Sequence, residues 1–158
     1  DGYKRQIILR SHKGLIIMFF LTGEYDHQID AKNRIRIPTK LKGKEEKLYF
    51  SKGTNGCIFV FYEAAIKEKL EKLEEVKIAD IDKQRGIRVF TKSLKLVEID
   101  TVGRLVIPSE LKEYAKITKD VKICGAGSRI EIWSKEVYDE YFKEADENFD
   151  ENFSYLDI

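Results

Sequence analysis

Apolar positions along this chain switch between a period of two and a period of three to four, and each switch marks an element. Residues 24–29 (Glu-Tyr-Asp-His-Gln-Ile) alternate and predict a strand, with His27 on its outer face. A turn over 30–34 and a short strand over 35–37 follow, and Pro38 then suits the first turn of a short helix, where its missing N–H costs nothing. Residues 48–51 and 57–61 predict a second pair of strands around a Gly/Asn turn at 52–56. Ile66, Leu70, Leu73 and Val76 then fall at helical spacing over 63–76.

The second half repeats this order. Strands are expected over 95–99 and 105–107, a short helix over 108–114, and a second hairpin over 121–124 and 129–133. Gly125-Ala126-Gly127 is a fragment of a phosphate-loop pattern, but no Lys or helix follows it, so it reads as the turn of that hairpin. A last helix starts at Ser134, a fair N-cap, and runs toward Asn148 with Val137, Tyr141 and Phe142 on one face. An extra helix is expected between the copies, over 79–91.

The repetition extends to the residues themselves. Ile29-Asp30-Ala31-Lys32-Asn33-Arg34-Ile35-Arg36-Ile37-Pro38 returns seventy positions later as Ile99-Asp100-Thr101-Val102-Gly103-Arg104-Leu105-Val106-Ile107-Pro108. The fold class that follows is α+β, with two pseudo-symmetric halves able to close one small β-barrel flanked by helices. The expected divisions are 1–17, 18–78 (first repeat), 79–148 (second repeat with its preceding helix) and 149–158 (an acidic, aromatic tail, expected to fray unless it docks). Residues 1–17 match neither repeat and are read as an extension, with Met18 as the natural start, outside the fold argument.

The repeated turn is the candidate for chemistry. Asn33 and Gly103 stand where a three-residue hairpin loop places a left-handed residue, a conformation those two types tolerate best. Asp30 and Asp100 at the turn entrance can accept loop N–H groups and pair with Arg34 and Arg104. Such a pair can be a local staple and nothing more. Arginine nevertheless supplies a planar, permanently charged fork suited to phosphates and guanine edges. Lys32, Arg36, Lys40 and Lys42 surround the first arginine. The second copy has Val102 and Val106 at two of those places, with Lys112 remaining, so the first copy is expected to attract phosphate more strongly.

Charge supports this only weakly. The formal net charge of +1 divides into +3 over residues 1–17, −7 over 135–158 and +5 over the body between them. A modest basic excess attracts polyanions without identifying them. Cys57 and Cys124 lie in separate repeats with no C-x-x-C and read as reduced, structural and cytosolic. Trp133, Phe59, Phe61 and Tyr62 read as core or interface aromatics. No nucleophile–base constellation or isolated carboxylate pair is apparent, so no catalytic or metal site and no cofactor is expected. No apolar run approaches the ~18 residues of a membrane span.

Strand, D-x-x-[NG]-R turn, hydrophobic-x-Ile-Pro and short helix together resemble the AbrB-like swapped-hairpin DNA-binding unit. Two such units, with Gly23-Glu24-Tyr25, Asn55-Gly56-Cys57-Ile58-Phe59-Val60 and Arg129-Ile130-Glu131-Ile132-Trp133-Ser134, resemble the MraZ family, over residues 18 to about 150. The resemblance implies a cytoplasmic, nucleoid-associated bacterial transcriptional regulator, expected to be a repressor of the division and cell-wall gene cluster. It implies binding to double-stranded DNA at promoter direct repeats, as a ring homo-oligomer of eight or twelve chains with its turns gathered on one surface. Carried over, Arg34 and Arg104 are the expected DNA contacts, with Lys32, Arg36 and Lys40 beside them, and Asp30, Asp100, Asn33 and Gly103 orient the turns. Asn33 stands where the family usually has Gly, a departure that left-handed geometry permits. The competing reading is an oligomeric protein-interaction scaffold whose turns are staples. A small enzyme is the third, and no sequence feature points to a pocket for it.

Overall fold

The computed structural model describes residues 6–11, 14–43 and 47–158, with side chains from residue 20 onward. Among the described residues, strands β1 (Gln6–Ser11) and β2 (Gly14–Phe19) pair only with each other, as an antiparallel hairpin. The first copy of the repeat then contributes β3 (Glu24–Gln28), β4 (Arg34–Arg36), β5 (Lys47–Lys52), β6 (Ile58–Phe61) and helix α1 (Glu63–Glu74). Helix α2 (Ile81–Ser93) leads into the second copy. That copy holds β7 (Lys95–Glu98), β8 (Arg104–Val106), α3 (Ser109–Tyr114), β9 (Asp120–Gly125), β10 (Ile130–Ser134), α4 (Lys135–Glu147) and α5 (Phe149–Ser154). The class is α+β, as expected.

Six strands form one antiparallel sheet in the order β3-β9-β10-β6-β5-β7, and β4 pairs with β8 in a separate ribbon. The order is symmetric about the β10–β6 pair. Each copy's first strand crosses to the other copy: Tyr25 of β3 lies opposite Ile123 of β9, and Leu96 of β7 opposite Tyr49 of β5. The two halves therefore complete each other, and neither buries its strands alone.

One sheet face and the buried side of the ribbon share the main core, which includes Leu48, Phe50, Ile58, Val60, Ile123, Ile130, Ile132, Ile35 and Leu105. Each fully buried aliphatic or aromatic side chain contributes roughly 1.5–3 kcal/mol. Helices cover the other face. Phe61 packs with Ile66 of α1 and Phe90 of α2, and Trp133 packs with Tyr138 and Phe142 of α4. Glu131 is buried on this face beneath the helices, with its carboxylate paired to Arg129 at 2.8 Å and accepting the Trp133 indole N–H at 3.2 Å. Both partners stand two residues away, on the same side of the strand. Among the described residues no helix is long and apolar enough to cross a membrane.

Two expectations need correction. His27 is not on the outer face: it alternates onto the side of Tyr25, which packs on the core, and its Nε2 accepts the Arg36 N–H at 3.3 Å. The short helix forms after Pro108 but not after Pro38, where the chain makes a turn closed by Leu41 N–H to the Pro38 carbonyl. Glu110 favours a helix N-terminus and Lys40 opposes one. Gly43, standing where the second copy has Glu113, is a poor helix former, and the Tyr62 hydroxyl takes its N–H at 2.7 Å and donates to the Leu41 carbonyl. Residues 149–158, expected to fray unless docked, are helical over Phe149–Ser154 and are tied to α4 by the Asn152 amide, which donates to the Ala145 carbonyl.

Candidate nucleic-acid interface

The two D-x-x-x-R turns are built alike, bond for bond. Asp30 Oδ1 accepts the Lys32 and Arg34 backbone N–H groups at 2.9 and 2.8 Å, and Oδ2 accepts Arg34 Nε at 2.7 Å. Asp100 Oδ1 accepts from Val102 and Arg104 at 3.0 and 2.8 Å, and Oδ2 from Arg104 Nε at 2.9 Å. Asn33 (φ 60°) and Gly103 (φ 84°) supply the left-handed residue in each. The backbone N–H of the arginine, followed by the other donors, holds each aspartate below the usual carboxylate range despite partial burial.

One nitrogen of each guanidinium is thus committed and the rest of the fork is free. Among the described residues the terminal nitrogens of Arg34 and Arg104 have no hydrogen-bond partner, and these side chains keep 23% and 33% of their surface exposed. A donor pair fixed in direction by a carboxylate loses little freedom on meeting an anion.

The ribbon brings the two copies together. Arg34 lies opposite Val106, Ile35 opposite Leu105 and Arg36 opposite Arg104. Opposed residues share a face, so Ile35 and Leu105 point into the core. Arg34, Arg36, Arg104 and Val106 all project from the other side. Three guanidiniums thus occupy a ribbon three residues long. Arg34 and Arg104 are diagonal neighbours, with Cα atoms roughly 7–8 Å apart.

Cations also cross between copies, a feature the spacing of one turn could not reveal. Arg36 Nη1 donates to the Val102 carbonyl in the second turn. Lys112 Nζ donates to Asn33 Oδ1 in the first at 2.9 Å. Nη1 of Arg36 and Nζ of Lys42 each lie 3.7 Å from where a Cβ on Gly103 would sit. Arg36 and Lys42 therefore serve the second turn and Lys112 the first. Arg36 thus stands between the turns, beside Arg34 on its own strand and bonded to the second turn, and Lys42 lies nearer the second turn than its place in the first copy suggests. Lys32, within the first turn, and Lys40, two residues after Pro38, are exposed. Backbone bonds join the copies as well, with Ile107 N–H donating to the Asn33 carbonyl at 2.8 Å.

Comparison with known proteins agrees with the doubled architecture. The family described as "MraZ protein, putative antitoxin-like" matches twice, over residues 20–88 and 94–156. A protein of Caldanaerobacter subterraneus subsp. tengcongensis called transcriptional regulator MraZ is 41% identical over 138 residues, covering 87% of this chain and 96% of its own. One of Thermoanaerobacter pseudethanolicus with the same name is 40% identical over the same shares. One of Desulforamulus reducens, again so named, is 33% identical over 130 residues, 82% of this chain and 92% of its own.

Proposed function

The chain belongs to the MraZ family, and from that premise we propose that it is a sequence-specific DNA-binding regulator of transcription. The proposal extends to repression at promoter direct repeats of the division and cell-wall gene cluster, and to action in the cytoplasm at the nucleoid. The naming of its relatives as transcriptional regulators supports the general role. The arginine face of the β4–β8 ribbon supports the contact: three guanidiniums on one exposed surface, two of them aimed by carboxylates.

In this reading Arg34 and Arg104 reach base edges, where a guanidinium can give two hydrogen bonds to guanine. Arg36, Lys32, Lys40, Lys42 and Lys112 meet phosphates and set position. Closure of the six strands and the ribbon into a barrel, and of several chains into a ring, belongs to the same proposal. A ring carrying many such faces would bind a series of repeats weakly at each and tightly in sum.

The single observation that carries the reading is the pair of free, oriented arginine forks on one face. It is tested by fluorescence anisotropy with a labelled duplex bearing short direct repeats. Arg34→Ala is expected to weaken binding more than tenfold while stability changes by about 1 kcal/mol or less. A variant that binds as tightly as the parent would leave the turn as a staple and favour the scaffold reading.

A further inference from the structure

The arginine face differs at its two corners. The repeat maps Arg36 onto Val106 and Lys32 onto Val102, so two cations of the first copy have hydrocarbon in their place in the second. Both valines are open to solvent, Val106 by 54% and Val102 by 47%. Val106 stands opposite Arg34, with its side chain on the arginine side of β8. Val102 stands at the tip of the second turn, where Asp100 accepts its N–H at 3.0 Å and its own carbonyl accepts Arg36 Nη1. Its backbone polar groups are thus both met, and the isopropyl group is what it has left to offer a ligand.

Phosphate gains nothing from a valine, so these positions do not serve attraction to the backbone. Base edges are different. In the major groove every base pair offers hydrogen-bonding atoms, and thymine alone adds a methyl group, at C5. An isopropyl group pressed on that methyl takes apolar area out of water, while a neighbouring guanidinium spans O6 and N7 of a guanine. Cytosine at the same place would set its N4 amino group against hydrocarbon and lose the water that solvates it. Valine is also stiff about χ1, so little side-chain freedom is lost when it is covered.

We propose that Val106 and Val102 select thymine, through its C5 methyl, beside the bases that Arg34 and Arg104 contact. The inference rests on the DNA reading of this face and adds a base preference to it. At the matching places in the first copy, Lys32 and Arg36 offer charge instead. The two corners then read different features of the groove. A two-fold symmetric reader matches a palindrome, whereas unequal corners match a sequence with a direction.

Uracil is thymine without the methyl, and it isolates the contact. The full-length parent first selects from a pool of labelled duplexes with a randomised centre. The selected duplex is then resynthesised with each thymine in turn replaced by uracil, and anisotropy titrations follow. At a contacted thymine the parent is expected to lose about threefold to fivefold in affinity, the size of one buried methyl. In Val102→Ala with Val106→Ala, which lacks the methyl groups that reach furthest, the same replacement should cost almost nothing, since protein and base then lose one shared contact. Val106→Ile keeps a branched hydrocarbon and should keep the penalty. Both positions are exposed, so the variants are expected to melt close to the parent. A parent indifferent to uracil at every thymine, or an alanine pair that still suffers the full penalty, would overturn the inference while leaving DNA binding in place. A parent that selects no duplex overturns it together with the DNA reading.

Discussion

Lys112 Nζ donates to Asn33 Oδ1 across 2.9 Å, joining the helix after the second turn to the loop of the first. The reciprocal contact runs from Arg36 to the carbonyl of Val102. Each copy thus holds the other's turn from outside, and both contacts border the arginine face. The turns are therefore one unit with two corners, and a side chain placed in one copy acts at the other.

Lys112→Ala should then weaken DNA binding at the first turn although the residue belongs to the second copy. In the proposed reading its ammonium meets one phosphate, so the slope of log affinity against log salt should fall by about one, with little change in the preferred sequence. Asn33→Gly keeps the left-handed backbone and removes only the acceptor, so it should reproduce part of the loss. Anisotropy titrations across a salt series measure both. An unchanged slope for Lys112→Ala would remove it from the interface.

The turns also set a pH dependence. The carboxyls of Asp30 and Asp100 titrate below their ordinary value of 3.8, through hydrogen bonds led by the Arg34 and Arg104 N–H groups. A depressed folded-state pKa means that the unfolded chain takes up the proton first. The contribution is fully present above pH 3.8 and is lost as pH falls through the lower folded-state values. The combined variant Asp30→Asn with Asp100→Asn should therefore melt below the parent at pH 6, with the gap narrowing as acid is added below pH 4. Thermal melts over that range decide it, and a gap independent of pH would mean that the aspartates act by shape alone.

The turns were legible in the sequence because their chemistry is local: an acceptor, a left-handed residue and an arginine within five positions fix the loop whatever surrounds it. The strand order, the cover of the outer sheet face and the crossing cations were not, since they depend on which copy pairs with which. Nothing in the spacing of residues 24–28 says that β3 pairs with β9 rather than with a strand of its own copy. Lys42 and Lys112 were visible as cations near a turn, but the β4–β8 pairing decides whose turn they meet. His27 was misplaced for a similar reason. Its partner is the backbone of Arg36, nine positions on, and alternation with Tyr25 was the signal that could have placed it inside.

The cysteines supply a test of the sheet's outer layer. Burial pushes the thiols of Cys57 and Cys124 up to about 12, with Glu131 adding to the shift in both. At pH 8 both thiols are therefore protonated, more completely than a thiol at the ordinary value of 9.0, and lack the thiolate that reacts. Neither thiol should react with a disulfide reagent in the folded protein over minutes, and both should react at once in denaturant. Val137 and Phe142 of α4 pack on the cluster that holds both sulfurs. Val137→Ala with Phe142→Ala should therefore expose the thiols, and rapid labelling of the untouched parent would contradict the packing.

Val106 offers the most direct probe of the arginine face. It lies opposite Arg34, is exposed, and occupies the place that Arg36 holds in the first copy. Val106→Arg completes the symmetry and puts a fourth guanidinium on the ribbon. Two effects then compete. Like charges opposite each other destabilise a strand pair by roughly 0.2–1 kcal/mol, so the melting temperature should fall slightly at low salt and recover as salt rises. Bound phosphates would relieve the same repulsion, so affinity for any duplex should rise and the salt slope should steepen by about one. Discrimination between sequences should fall, because the added contact is available on every duplex. If binding to a duplex without repeats stays as weak as the parent's while the stability cost appears, the ribbon face does not meet DNA.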